Sequence, residues 1–187
     1  MTDEVKFKQE CFEKRFYSFG TAKIFEKRVE KYDFRLKAIT FLGLLTPIIL
    51  GGFVAAFSTD SEALKYLLLP VCGVLTIIQS VLSLLSLVYK WDDVYSYAIS
   101  SVKNNTRLTN DFDQLSKESP AKIKRDMSRL RDEFNRQEIE DTAQSISIKE
   151  KRFAMRHTLF QYKNKCETCK IKPISLTPST CDTCGNF

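Results

Sequence analysis

Two long runs without a single charged residue constrain this chain more than anything else in it. Residues 38–57 read AITFLGLLTPIILGGFVAAF, and residues 66–89 read YLLLPVCGVLTIIQSVLSLLSLVY. At ~1.5 Å per helical residue, twenty positions extend ~30 Å, the thickness of a bilayer's hydrocarbon core, and the longer second run suits a tilted span. A helix buried in a soluble bundle needs only an apolar stripe, so two runs apolar all round argue for two transmembrane helices. Between them lies STDSEALK, residues 58–65, an external turn too short to fold. Thirty-seven charged and amphipathic residues precede the first run, which excludes reading it as a cleaved signal peptide.

The orientation follows from the cations at the span ends. Lys23, Lys27, Arg28, Lys31, Arg35 and Lys37 precede the first span, Lys90, Lys103 and Arg107 follow the second, and the turn has one lysine. The positive-inside bias places both termini in the cytoplasm. The same flanks account for much of the net charge of +6 without invoking nucleic acid, which is not an expected partner.

The cytoplasmic segments, 1–37 and 90–162, read as helices that pack together. Phe12, Phe16 and Phe19, then Phe25, Val29, Tyr32 and Leu36, recur at helical spacing, with a break expected at Phe19-Gly20. From Thr21 the second of these helices should run straight into the first span. Trp91, Val94, Tyr95, Ala98 and Val102 continue the period of the second span, as if that helix emerged intact and ended at Asn104-Asn105. Ser119-Pro120 marks a helix start, and Ile123, Met127, Leu130 and Phe134 form a single seam for packing on another helix or a neighbouring subunit. Lys122, Lys124 and Arg125 crowd the positive end of that helix, as either a solvated charge run or an anion-binding site for a phosphate or a lipid headgroup. Ser147 and Glu150 form a capping box for a last helix that ends near Lys163.

Residues 163–187 carry the sharpest motif. Cys166-Glu-Thr-Cys169 is followed after eleven residues by Cys181-Asp-Thr-Cys184-Gly185. Each CxxC turn delivers two sulfurs to one ion, and four thiolates suit a structural, tetrahedral zinc with no open position for substrate. Disulfides or a redox pair are the alternatives. A reducing cytoplasm and the lack of a βαβ pattern argue against both. Gly185 suits a tight second turn. The tail's Lys163, Lys165, Lys170 and Lys172 are too few for a phosphate track. Cys11 and Cys72 read as small apolar fillers, and His157 has no catalytic partner. The chain contains no nucleophile elbow, P-loop, dinucleotide fingerprint or zinc-protease motif, so an enzyme is not expected.

In the second span the polar residues share a face: Thr76, Gln79, Ser80, Ser83 and Ser86, with Cys72 and Gly73 above and Lys90 below. Such a stripe serves either hydrogen bonding between spans or the lining of a water-filled pore in an oligomer. Gly43, Pro47, Gly51 and Ala55 make a small-residue ridge on the first span, suited to close packing within the hairpin or between copies. The expected architecture is an all-α membrane protein: a two-span transmembrane helical hairpin with flanking cytoplasmic helices and a small C-terminal four-cysteine zinc module.

Two short spans, cytoplasmic helices on both sides and the lack of an enzymatic motif resemble the SLATT family of two-transmembrane proteins. The cysteine spacing at 166, 169, 181 and 184 is similar to that of small proteins of bacterial mobile elements described by CxxCx(11)CxxC. These resemblances imply an inner-membrane effector in anti-phage or mobile-element conflict. It would form a homo-oligomeric pore when a protein partner or nucleotide signal activates it. The alternative is a non-conducting anchor that recruits a partner through its cytoplasmic helices and zinc tail.

Overall fold

The first helix ignores the glycine expected to interrupt it. In the computed structural model, which describes residues 3–57, 62 and 64–187, α1 runs without a break over Asp3–Phe57. Gly20 is retained because space is short: a Cβ there would lie 2.9 Å from Thr158 Oγ1. A short π-helical segment, Leu64–Leu68, leads into α2 (Leu69–Val88), with α3 (Trp91–Leu115), α4 (Pro120–Thr142) and α5 (Ile148–Gln161) following. No strand occurs among the described residues. The expected turn over 58–65 falls largely on residues outside those described.

Two boundaries differ from expectation. The second span does not emerge as one helix. It ends at Val88, Lys90 adopts a left-handed φ of 48°, and α3 restarts at Trp91 with Asp92 and Asp93 in its first turn. That acidic pair suits the positive end of a new helix and was the available sequence signal. Asn104-Asn105, read as a stop, lies inside α3. Asn105 is buried and donates to Asp141 Oδ2 at 2.7 Å, while Asn104 donates to Gln137 Oε1 at 2.9 Å. Partners on α4 hold these side chains within the helix, and Asn105 also donates back to the Ser101 carbonyl at 3.1 Å.

The chain divides into two compact units, Met1–Arg28 with Ala98–Phe187, and Val29–Tyr97. In the first, Cys11 and Phe7 of α1, Leu108, Phe112 and Leu115 of α3, and Ile123, Met127, Leu130 and Phe134 of α4 make an apolar core. The α4 seam is thus consumed by packing within the chain. Farther along α3 and α4 the core becomes polar: Asp141 also accepts from Ser101 Oγ at 2.6 Å and from Gln137 Nε2 at 3.0 Å. Sequence reading missed this network, although Ser101/Asn105 and Gln137/Asp141 each sit four residues apart on one face.

The capping box forms as expected. Ser147 Oγ accepts from the Glu150 N–H at 3.2 Å, and Glu150 accepts from the Ser147 N–H at 2.8 Å. Arg28 forks onto the same carboxylate at 2.6 and 3.0 Å and donates to the Gln144 carbonyl at 2.9 Å, tying α1 to the turn before α5. Phe12, Phe16 and Phe19 surround the Tyr162 ring at 5.5–6.0 Å, and the Arg15 guanidinium stacks on that ring at 4.6 Å while pairing with Asp113.

The second unit holds the apolar runs. Two helices are long and apolar enough to cross a membrane, and only 6% and 11% of their most apolar windows are buried. Phe41, Leu44, Ile48, Ile77, Leu84 and Leu87 are each more than 60% exposed. Core helices of a soluble bundle would hide these side chains, whereas lipid covers them at no cost. At the polar end of the unit, Arg35 lies 4.9 Å from the Trp91 ring, and Asp33 accepts from Tyr95 at 3.1 Å and Lys37 at 2.7 Å.

Candidate metal centre

The cysteine tail is built on a repeated turn. In Cys166-Glu-Thr-Cys169 the Lys170 N–H returns to the Cys166 carbonyl at 2.8 Å, and in Cys181-Asp-Thr-Cys184 the Gly185 N–H returns to the Cys181 carbonyl at 2.9 Å. Thr168 and Thr183, at equivalent positions, meet at 2.6 Å between hydroxyls. The left-handed residue comes directly after the first turn, at Lys170 (φ 59°), and one residue later in the second, at Asn186 (φ 55°). Gly185 therefore does not serve through a positive φ. It is needed because a Cβ there would collide with the Ser179 backbone and hydroxyl.

This pairing brings all four sulfurs together. They lie within 4.8 Å of one another, with Cys166–Cys181 and Cys169–Cys184 each 3.9 Å apart. Four ligands at ~2.3 Å around a tetrahedral ion would be ~3.8 Å apart, whereas a disulfide needs ~2.05 Å. The cluster has metal-site spacing, and all four are free thiols. Their surroundings differ: the Cys184 and Thr183 N–H groups hold the Cys181 thiol down at about 6, while burial pushes Cys184 up to about 12. Four sulfurs this close cannot all ionise without a cation between them, so the donor set fits a soft divalent metal.

The helices fix the module from one side. Leu159 and Met155 of α5 and Phe16 of α1 pack against the cysteines. Arg152 donates to the Asn186 carbonyl at 3.3 Å, and Phe153 meets Phe187 edge-on at 5.6 Å.

The other candidate residues fall into three settings. On α2, Gln79 is half-buried, and its amide stands 2.7 Å from where a Cβ on Gly43 would be. Pro47 has no N–H to offer the Gly43 carbonyl one turn back, and Gln79 is the only amide side chain of α2. Ser86 is buried and Ser83 half-buried. Thr76 and Ser80 are exposed, and each hydroxyl bonds back one turn at 2.8 Å, to the Cys72 and Thr76 carbonyls. The stripe is therefore split between an inward and an outward half. Along the ridge of α1, Gly43 meets Gln79 of α2. Gly51 has open space around it, and Pro47 and Ala55 are exposed.

At the start of α4, Lys122 pairs with Glu118 at 2.7 Å and Arg125 with Asp126 at 2.9 Å, while Lys124 is exposed. Local carboxylates thus already face two of the three cations considered for an anion site. Cys11 and Cys72 are buried fillers, as expected. His157 packs against Phe153 with the rings tilted and their centroids 4.2 Å apart, and burial together with Lys23 and Lys27 disfavours its charged form.

The family described as Mobilome CxxCx(11)CxxC protein matches residues 8–187. No curated protein and no solved structure matches the chain.

Proposed function

Since the chain belongs to the mobilome CxxCx(11)CxxC protein family, we propose that it is an inner-membrane effector of a mobile element. In this reading both spans cross the bilayer as a hairpin, with the termini in the cytoplasm. Several copies assemble so that the polar face of α2 lines a conducting path. The supporting observation is the outward half of that face: Thr76 and Ser80 are exposed in the single chain, as are Pro47, Gly51 and Ala55 on α1. One hairpin cannot enclose water, and these surfaces are what neighbouring copies would meet. The SLATT-like arrangement of two spans between helical flanks supports the same role. Zinc is the metal that best suits four thiolates, and it would stabilise the tail without taking part in a reaction. Activation by a protein partner or a nucleotide signal belongs to this proposal.

Flux from liposomes tests the pore. Ser80→Leu should abolish permeation while insertion persists, because bulk at an exposed lining position occludes the path. Unchanged flux would overturn conduction through this face. A non-conducting anchor would then stand, and one observation favours it: Gln79 and Ser86 already turn toward protein within one chain. The metal is tested by elemental analysis of reduced, purified protein. One zinc per chain is expected, and Cys184→Ser should lose it together with the fold of residues 163–187. Zinc bound to a structural module contributes about 10–16 kcal/mol of apparent binding energy, which here would be folding energy.

A further inference from the structure

The loop between the two cysteine pairs is anchored, yet it presents apolar side chains to solvent. Pro173 is buried, the Ser175 carbonyl accepts from Nε of buried Arg156 at 3.0 Å, and the Ile171 carbonyl accepts from the Cys166 N–H at 3.0 Å. The Ser175 and Thr177 hydroxyls lie 2.6 Å apart. Between these anchors Ile171, Ile174 and Leu176 are 64%, 90% and 41% exposed. An isoleucine 90% exposed between a buried proline and a pinned serine is held outward by its neighbours.

The same segment is basic. Lys163, Lys165, Lys170 and Lys172 are all exposed, against Glu167 as the one acid between 163 and 176. Aliphatic side chains at a tip with lysines beside them suit an anionic bilayer, where the apolar groups enter the acyl boundary and the ammonium groups stay at the phosphates. Protein interfaces select differently, favouring aromatic and arginine anchors and disfavouring lysine. Residues 163–180 contain no aromatic residue and no arginine, which also removes the stacking platform that single-stranded nucleic acid requires.

We propose that the loop Ile171–Leu176 docks on an anionic lipid surface, with Ile174 inserted at the acyl boundary and Lys170 and Lys172 on lipid phosphates. The docking does not depend on whether the spans conduct.

The full chain carrying Ile174→Trp tests this in vesicles of phosphatidylglycerol and phosphatidylethanolamine with brominated acyl chains. Emission is read as the difference from the parent, whose sole tryptophan is Trp91. The indole at 174 should be blue-shifted and quenched. Quenching should be lost in brominated phosphatidylcholine vesicles, and in the anionic vesicles when Lys170→Glu and Lys172→Glu are added. Ile174→Trp alone keeps both lysines and an apolar tip, and retained metal shows that the module is folded. Red-shifted, unquenched emission in the anionic vesicles would overturn the proposal and leave the tip to a protein partner. Quenching that survives the charge reversal would also overturn it. Quenching is read before a carbonate wash, so release of the chain by the wash would count against the spans and leave the docking result standing.

Discussion

Glu150 shows how much one carboxylate can organise. It closes the capping box of α5 and receives the Arg28 fork, so it joins a helix start to the side of α1. Burial pushes its carboxyl up, but the Arg28 guanidinium and the Ser147 N–H and hydroxyl outweigh burial and hold it at about 2. An unfolded glutamate titrates near ~4.3. The folded state therefore binds the proton less readily, and Glu150 contributes stability above that value that is lost as pH falls toward 2. Thermal melting of the detergent-solubilised chain should show Tm falling more steeply below about pH 4 in the parent than in Glu150→Gln. Parallel profiles would mean that the fork does not survive in solution.

The pairing of α3 with α4 has two chemistries along its length. Near the link between the helices, Leu108, Phe112 and Leu115 meet Ile123, Met127, Leu130 and Phe134, and burial supplies the energy. Farther along, Ser101 and Asn105 meet Gln137 and Asp141 through hydrogen bonds, which define the register because a shifted helix would strand a carboxylate in the core. Asn105→Leu keeps helical propensity and removes the 2.7 Å donor to Asp141. It should destabilise the chain by about 1–3 kcal/mol in denaturant titration, as expected for a buried polar group that loses a partner. A gain in stability would show that packing dominates at this end as well.

For the whole molecule, the decisive quantity is where the exposed apolar surface of α1 and α2 goes. Its side chains more than 60% exposed, from Phe41 to Leu87, lie on two helices long and apolar enough to cross a membrane, and under the proposed hairpin the cations before and after them set the expected orientation. Compartment reporters fused at each end should both report cytoplasm, and a membrane-impermeant thiol reagent should label Asp60→Cys only from outside. A periplasmic signal from the C-terminal fusion would refute the hairpin and remove the reducing-compartment argument for zinc.

Local and periodic features were legible in the sequence alone. Uncharged length identified both membrane-length helices, CxxC spacing identified the four cysteines, and Ser147 with Glu150 predicted a cap that forms as expected. These succeed because each depends on residues a few positions apart. Where the answer depended on a distant partner, sequence misled or was silent. Gly20 continues a helix because Thr158 lies against it, and Asn105 belongs inside α3 because Asp141 receives it. The α4 seam is core because Cys11, Leu108 and Phe112 cover it, and the polar stripe of α2 divides because Gln79 finds Gly43. Propensity and periodicity describe a segment by itself, but a buried hydrogen bond or a close backbone approach is a property of two segments, and only tertiary packing selects the second.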